Sequence, residues 1–225
     1  MNKDRILKIA SSHYNLFRFC TRVYNRLSFR NRLSTKGCKL DLGLSVIKGL
    51  KIKSYGTNNV VIIGDYTRIN NCRFTIKGSN NKIIIKNSAA LNQVELYMEN
   101  SGNLISIGED TNLCGKAHFA AIEGTEIKIG DRCLLSGELH FRTGDSHSLL
   151  DSEGKRINPS DDIVIEDHVW IGTKVTCLKG VHVSENSVVA ATTTLCKKYN
   201  EKNVVIGGVP GKIIRTNVNW TKERL

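Results

Sequence analysis

The chain has 225 residues, 24% charged and 40% apolar, the proportions of an ordinary folded protein rather than a disordered or fibrous one. Its formal net charge is +12, and the excess sits at one end: residues 1 to 36 hold nine Lys and Arg against Asp4 alone. No run approaches the roughly 20 apolar residues of a membrane span. The first residues are broken by charge too often for a secretion signal, and the seven scattered cysteines form no C-x-x-C pair, so reduced thiols in a cytoplasm are expected rather than a disulfide framework or structural zinc.

In chain order, residues 1–36 read as a basic amphipathic helical segment. Ile6, Ile9, Leu16, Cys20, Val23 and Leu27 recur at near-helical spacing with arginines between them. Such a segment would cap the open first coil of a repeat structure, and its charge also suits peripheral contact with an anionic membrane surface at the inner face. No nucleic-acid recognition motif accompanies the charge, so nucleic acid is not an expected partner. Residues 37–58 are ambiguous and suit irregular early coils.

An internal repeat then emerges. Ile63, Ile85, Ile107 and Ile129 are each 22 apart, and Val61, Ile83, Ile105 and Ile127 precede them by two. Twenty-two is three hexads plus four, and the extra four fall each time at GTNN, GSNN, NSGN or EGTE, where Gly and Asn tolerate the positive φ of a protruding turn. Between Ile129 and Ile165 the spacing is one coil of 18 plus an insertion, which predicts a protruding loop at about 143–162. From Ile163 onward small apolar residues fall every sixth position: Ile165, Ile171, Cys177, Val183, Val189, Leu195. A period of six is neither helix nor strand and requires a corner after every six residues. The predicted fold is therefore all-β, a parallel β-helix of hexapeptide repeats over 37–215, stacked rung on rung. The row Val169, Val175, Val181, Ser187, Thr193 supplies its corners. The pattern breaks at CKKYNEKN, read as a polar loop, and residues 216–225 form a tail whose Trp220 packs on the last coil or on a partner.

The pattern I-G-x-x-V-x, with HVWIG at 168–172, NSVVAATTT at 186–194 and GGVPGKIIR at 207–215, resembles the hexapeptide-repeat O-acetyltransferases, in the branch of galactoside, maltose and capsular polysaccharide acetyltransferases. The resemblance covers roughly residues 100–215. It implies a left-handed β-helix, acetyl-CoA as acyl donor with no metal required, a cytoplasmic homotrimer with active sites between subunits, and a saccharide acceptor destined for a cell-surface polymer.

A hydroxyl attacking a thioester must lose its proton, and a neutral imidazole is suited to take it near pH 7. His147, in the loop segment GDSHSLLD, is the candidate catalytic base, and the resemblance gives the equivalent loop histidine that role. Asp145 and Asp151 are both candidates to orient its ring. The resemblance further places Trp170 at the active site and lets Gly172, Thr173, Ala190 and Ala191 line the path of the pantetheine arm. Gly208 belongs to the final coil's turn, and Lys197, Lys212 and Arg215 would meet the phosphates of coenzyme A. Gly211 stands where the family has alanine, a mild change on sequence grounds. His118 and His140 are 22 apart and stack one coil apart, so with Asp145 they are candidates for the acceptor pocket. The family position at 118 often carries Asn, so the nature of the acceptor stays open. His168 and His182 read as surface residues. Two rivals also stay open: a catalytically idle β-helix that binds glycans or scaffolds, and a zinc enzyme like the β-helix carbonic anhydrases, whose H-x4-H spacing this chain lacks.

Overall fold

The computed structural model describes residues 13–34 and 36–223. Nearly all of the chain winds into a parallel β-helix with three faces, of eight, eight and nine strands. Each face is a parallel ladder in which a strand pairs with the one a full coil earlier, apart from the last strand of face three, which pairs antiparallel with its predecessor. Face one begins at Arg32–Leu33, face two at Cys38–Leu42 and face three at Ile47–Lys48. Residues 37–58 are therefore regular coil, not irregular: Lys51–Tyr55 pairs with Arg73–Lys77, and Cys38–Leu42 with Asn59–Ile63, with no slip in register.

One inward side chain per face stacks along the axis. Face two carries Leu42, Ile63, Ile85, Ile107, Ile129, Ile165, Val183 and Tyr199, and face three carries Ile47, Ile69, Leu91, Leu113, Leu135, Ile171, Val189 and Ile206, all buried. Face one continues the core with Phe74, Leu96, Phe119, Phe141, Cys177 and Leu195, and the rings of Phe119 and Phe141 stack 4.5 Å apart. Each such side chain contributes about 1.5 to 3 kcal/mol when fully buried. Ile129 pairs with Ile165, so the insertion between them leaves the column and returns in register. Tyr199 lies inward on Val183, so the column runs through CKKYNEKN, where a polar loop was expected.

The four extra residues of each early coil do more than make a turn. They lengthen faces one and two, from the two-residue strands of the late coils to four to six residues in the strands between Arg73 and Ile129. The wedge this creates is filled by second inward rows, Ile76 and Met98 on one side and Val61, Ile83, Ile105 and Ile127 on the other. At its apex Asn59, Asn81 and Asn103 are buried and form a ladder. The Asn81 amide N–H donates to Asn59 Oδ1 and the Asn103 amide N–H to Asn81 Oδ1, each at 2.9 Å. The Thr125 hydroxyl then donates to Thr143 at the root of the long loop.

The amino-terminal helix α1, Tyr14–Leu27, lies over the first coil. It covers that edge through polar groups. Buried Asn25 donates to Ser45 O at 2.6 Å and accepts from Ile47 N at 2.9 Å, while Asn31, just beyond the helix, donates to Ile47 O and accepts from Leu50 N. Two asparagine side chains thus replace the missing coil for an otherwise open sheet edge. Arg18 and Arg22 both pair with Asp41, and Tyr14 donates to Asp65. Leu16, Cys20, Val23 and Leu27, the apolar residues expected to do the capping, are exposed instead. Ile6 and Ile9 lie outside the described residues.

At the other end Lys212–Arg215 turns back antiparallel on Val205–Gly207 and forms the last edge strand of face three. The tail then descends the corner between faces two and three. Val218 bonds Asn203 in both directions, the Trp220 indole donates to His168 O at 2.8 Å, and Lys222 pairs with Asp110. Trp220 accordingly packs on an earlier coil, not the last one. His168 is the underside of that contact, its ring stacked on the indole at 4.5 Å, rather than a plain surface residue. His182 is likewise engaged, between Asn200 and Glu166. No described helix is long and apolar enough to cross a membrane.

Candidate active site

The long loop leaves face one after Arg142 and rejoins face two at Ile163, at the corner the wedge has prepared. It is a short arm, not a slack excursion. Leu150 bridges Arg156 antiparallel, and Ile157 N–H donates to Leu149 O, while Asp151 Oδ1 accepts from the backbone of Glu153 and Lys155 at the tip. Asn158, buried, organises its base: its amide donates to Asp145 Oδ2 and to His147 O, each at 2.8 Å, and its Oδ1 accepts from Leu149 N at 2.7 Å. Arg156 and Ser160 both hold Glu123 on the coil, and Lys179 Nζ reaches Asp145 Oδ2 at 2.6 Å. Lys179 and Asn158 together keep the Asp145 carboxyl below its ordinary range.

His147 therefore has a fixed backbone and an exposed ring. Neither candidate carboxylate orients that ring: Asp145 is committed to Lys179 and Asn158, and Asp151 to the tip backbone. Leu149, Leu150 and Ile157 on the same arm are all more than half exposed, a cluster of apolar side chains pointing off the molecule.

His118 and His140 sit on the outer surface of face one, with ring centroids 5.3 Å apart and planes 11° from parallel. They line a groove of about 350 Å3 together with Glu95, Gln93, Lys116 and Glu138. His118 Nδ1 is 3.6 Å from Glu95, and Tyr97 extends the ring stack. The His140 pKa is lowered, by burial first, then by His118 and Arg142. Among the described residues no three His, Cys, Asp or Glu side chains gather as a metal site.

Trp170 is on the outer surface of face three, 40% exposed, with Trp220 at 6.0 Å. Gly172, Thr173, Ala190, Ala191 and Gly208 all fall at the corner between faces three and one. Gly172 has a packing reason to be glycine, because a Cβ there would stand 2.6 Å from Ala191 N of the next coil. The Thr173 hydroxyl donates to Gly137 O. Lys197, Lys212 and Arg215 are exposed and form no ion pair among the described residues, although Lys197 lies over the Tyr199 ring at 5.7 Å. Gly211 is not a mild replacement for alanine. Its Cβ would fall 2.8 Å from Tyr199 Oη, and that hydroxyl donates to Gly211 O at 3.0 Å, so the tyrosine takes the space of the methyl.

The structure thus brings His118 and His140 together and sets the corner residues in one line. It does not bring His147 to Trp170 within one chain, since the arm springs from the edge opposite face three.

No family model matches the chain. It is similar to the crystal structure of the polysialic acid O-acetyltransferase OatWY, with 29% identity over 87% of this chain and 92% of that one and a TM-score of 0.81. The structure of the polysialic-acid-specific acetyltransferase NeuO matches with 25% identity, over 77% of this chain and 83% of that one, at a TM-score of 0.64. By sequence, the polysialic acid O-acetyltransferase of Neisseria meningitidis is 33% identical over 83 residues, 36% of this chain and 39% of its own length. Its curated relatives and structural neighbours are O-acetyltransferases of the hexapeptide-repeat family. Its β-helix has the left-handed form of that family. The chain spans only about a quarter to two fifths of the length of these curated relatives.

Two residues of this hexapeptide-repeat protein escaped the sequence reading, Asn158 and Lys179, which build the arm's base. Nothing marks Asn158 among the polar residues of the loop. Lys179 was legible only as a cation at a turn, because its partner Asp145 lies 34 positions earlier.

Proposed function

We propose that this protein is an acetyl-CoA-dependent O-acetyltransferase that acetylates a saccharide hydroxyl in a cell-surface polysaccharide. The carrying observation is the likeness to OatWY along 92% of that enzyme's chain. In this reading His147 accepts the hydroxyl proton as the oxygen attacks the thioester carbonyl, a backbone N–H stabilises the oxyanion, and the coenzyme A thiolate leaves and is protonated. An exposed imidazole on an arm whose backbone is anchored by Asn158 is consistent with that role. The exposed cations Lys197, Lys212 and Arg215 fit the phosphates of the donor, and the small residues at 172, 190 and 191 fit a narrow arm laid along the corner.

The reading includes a homotrimer. Leu149, Leu150 and Ile157 need a cover, and a neighbouring copy presenting face three would supply both that cover and Trp170 to His147. The test is release of free thiol from acetyl-CoA against a panel of bacterial glycans. His147→Ala is expected to lose turnover by at least about a hundredfold with melting and oligomeric state unchanged. Retained turnover would remove His147 as base, and no thiol release with any glycan would favour an idle glycan-binding β-helix.

A further inference from the structure

Helix α1 docks onto the solenoid the wrong way round for an ordinary surface helix. Tyr14, Arg18, Arg22 and Asn25 lie on the stripe that meets the first two coils, and all four bond to them through polar atoms. Leu16, Phe19, Val23 and Leu27 recur at spacings of three and four on a second stripe turned away from those bonds, and Leu27 is 80% exposed. Phe29, just past the helix, is 88% exposed. Among the described residues nothing covers Leu16, Leu27 or Phe29, while Phe19 and Val23 border an open cavity of about 540 Å3 against residues 39–42 of the first coil. Arg26 flanks it within the helix and Arg30 follows, and neither forms an ion pair among the described residues. From Arg5 to Lys39 the sequence holds nine Lys and Arg and no Asp or Glu.

We infer that this stripe is a docking surface for an anionic lipid bilayer, with the apolar side chains entering the headgroup boundary and Arg26 and Arg30 meeting lipid phosphates. Charge selects this occupant over a second copy of the chain. A symmetric contact between copies would set the acid-free, arginine-bearing segments against one another, and like charges there oppose association. A helix held by its polar face needs no apolar contact with the protein, so the apolar stripe is free for another medium. The placement leaves the arm and the groove of His118 and His140, several coils away, open to solvent.

The test is flotation of the full chain with vesicles of phosphatidylcholine alone or mixed with phosphatidylglycerol. The protein is expected to float with the anionic vesicles at low salt, and much less at high salt or with neutral ones. The triple variant Leu16→Ser, Phe19→Ser, Leu27→Ser and the charge variant Arg26→Glu, Arg30→Glu should each weaken partitioning by roughly tenfold or more. Acetyl transfer to a soluble glycan and the melting temperature should be unchanged in both. Failure of the full chain to float with anionic vesicles overturns the inference, as does flotation indifferent to both variants. Splitting of the oligomer by the triple variant would assign the stripe to a second copy. Should the triple variant fail to fold, the charge variant decides alone.

Discussion

At His140 three influences act in one direction. Burial, the stacked His118 ring and the Arg142 guanidinium all disfavour the imidazolium, so its pKa falls below the ordinary histidine value. Because the folded-state value is the depressed one, the stabilising effect is complete above the unfolded histidine's pKa and is lost as pH falls through the lower folded value. A proton-detected titration should therefore find His140 changing charge at lower pH than a histidine in the unfolded chain; a midpoint at or above that value would contradict the stacked geometry beside His118 and Arg142. The spacing of 22 made this pair visible in the sequence, since repeats in register place equal residues on one face. The neighbour that tunes His140 was not visible, since Arg142 means nothing until the strands are in register. The same holds at Gly211, where only the fold shows that Tyr199 has claimed the missing methyl's space.

Among the elements, the asparagine ladder explains why the early coils can be wide. A wedge of two lengthened strands has a buried apex, and buried backbone N–H groups need acceptors there. Asn81 accepts from the backbone N–H of buried Asn103, so Asn81→Ala leaves that buried donor without a partner. A loss of about 2 kcal/mol is expected, read from the denaturation midpoint; a loss of only a few tenths would mean the ladder is ornamental. The repeat of Gly and Asn was readable as a turn signal, and the positive φ of Asn58, Asn80 and Asn100 agrees. The second asparagine of each pair was not distinguishable from the first by composition, although one forms the turn and the other is buried. Helix α1 was legible as basic and amphipathic, but which stripe faces the coil depends on Asn25 finding the open edge at Ile47, a tertiary fact.

As a whole the molecule is a three-sided column with polar closures at both ends, an arm on one edge and a tryptophan on the opposite face. The hexad period was enough to establish the column, because every sixth residue must point inward if the corners recur. Which edge of one copy meets which face of another lies outside any single chain's pattern. In the proposed trimer the catalytic unit is assembled between copies, with His147 from one and Trp170 from the next. The direct measurement is acetyl transfer by trimers reassembled from an equal mixture of His147→Ala and Trp170→Ala chains, each inactive alone. Random mixing should restore about a quarter of the unmodified enzyme's activity, since each site needs one intact residue from each of two neighbours. No recovery in mixed trimers, or full activity in either parent variant, would contradict it.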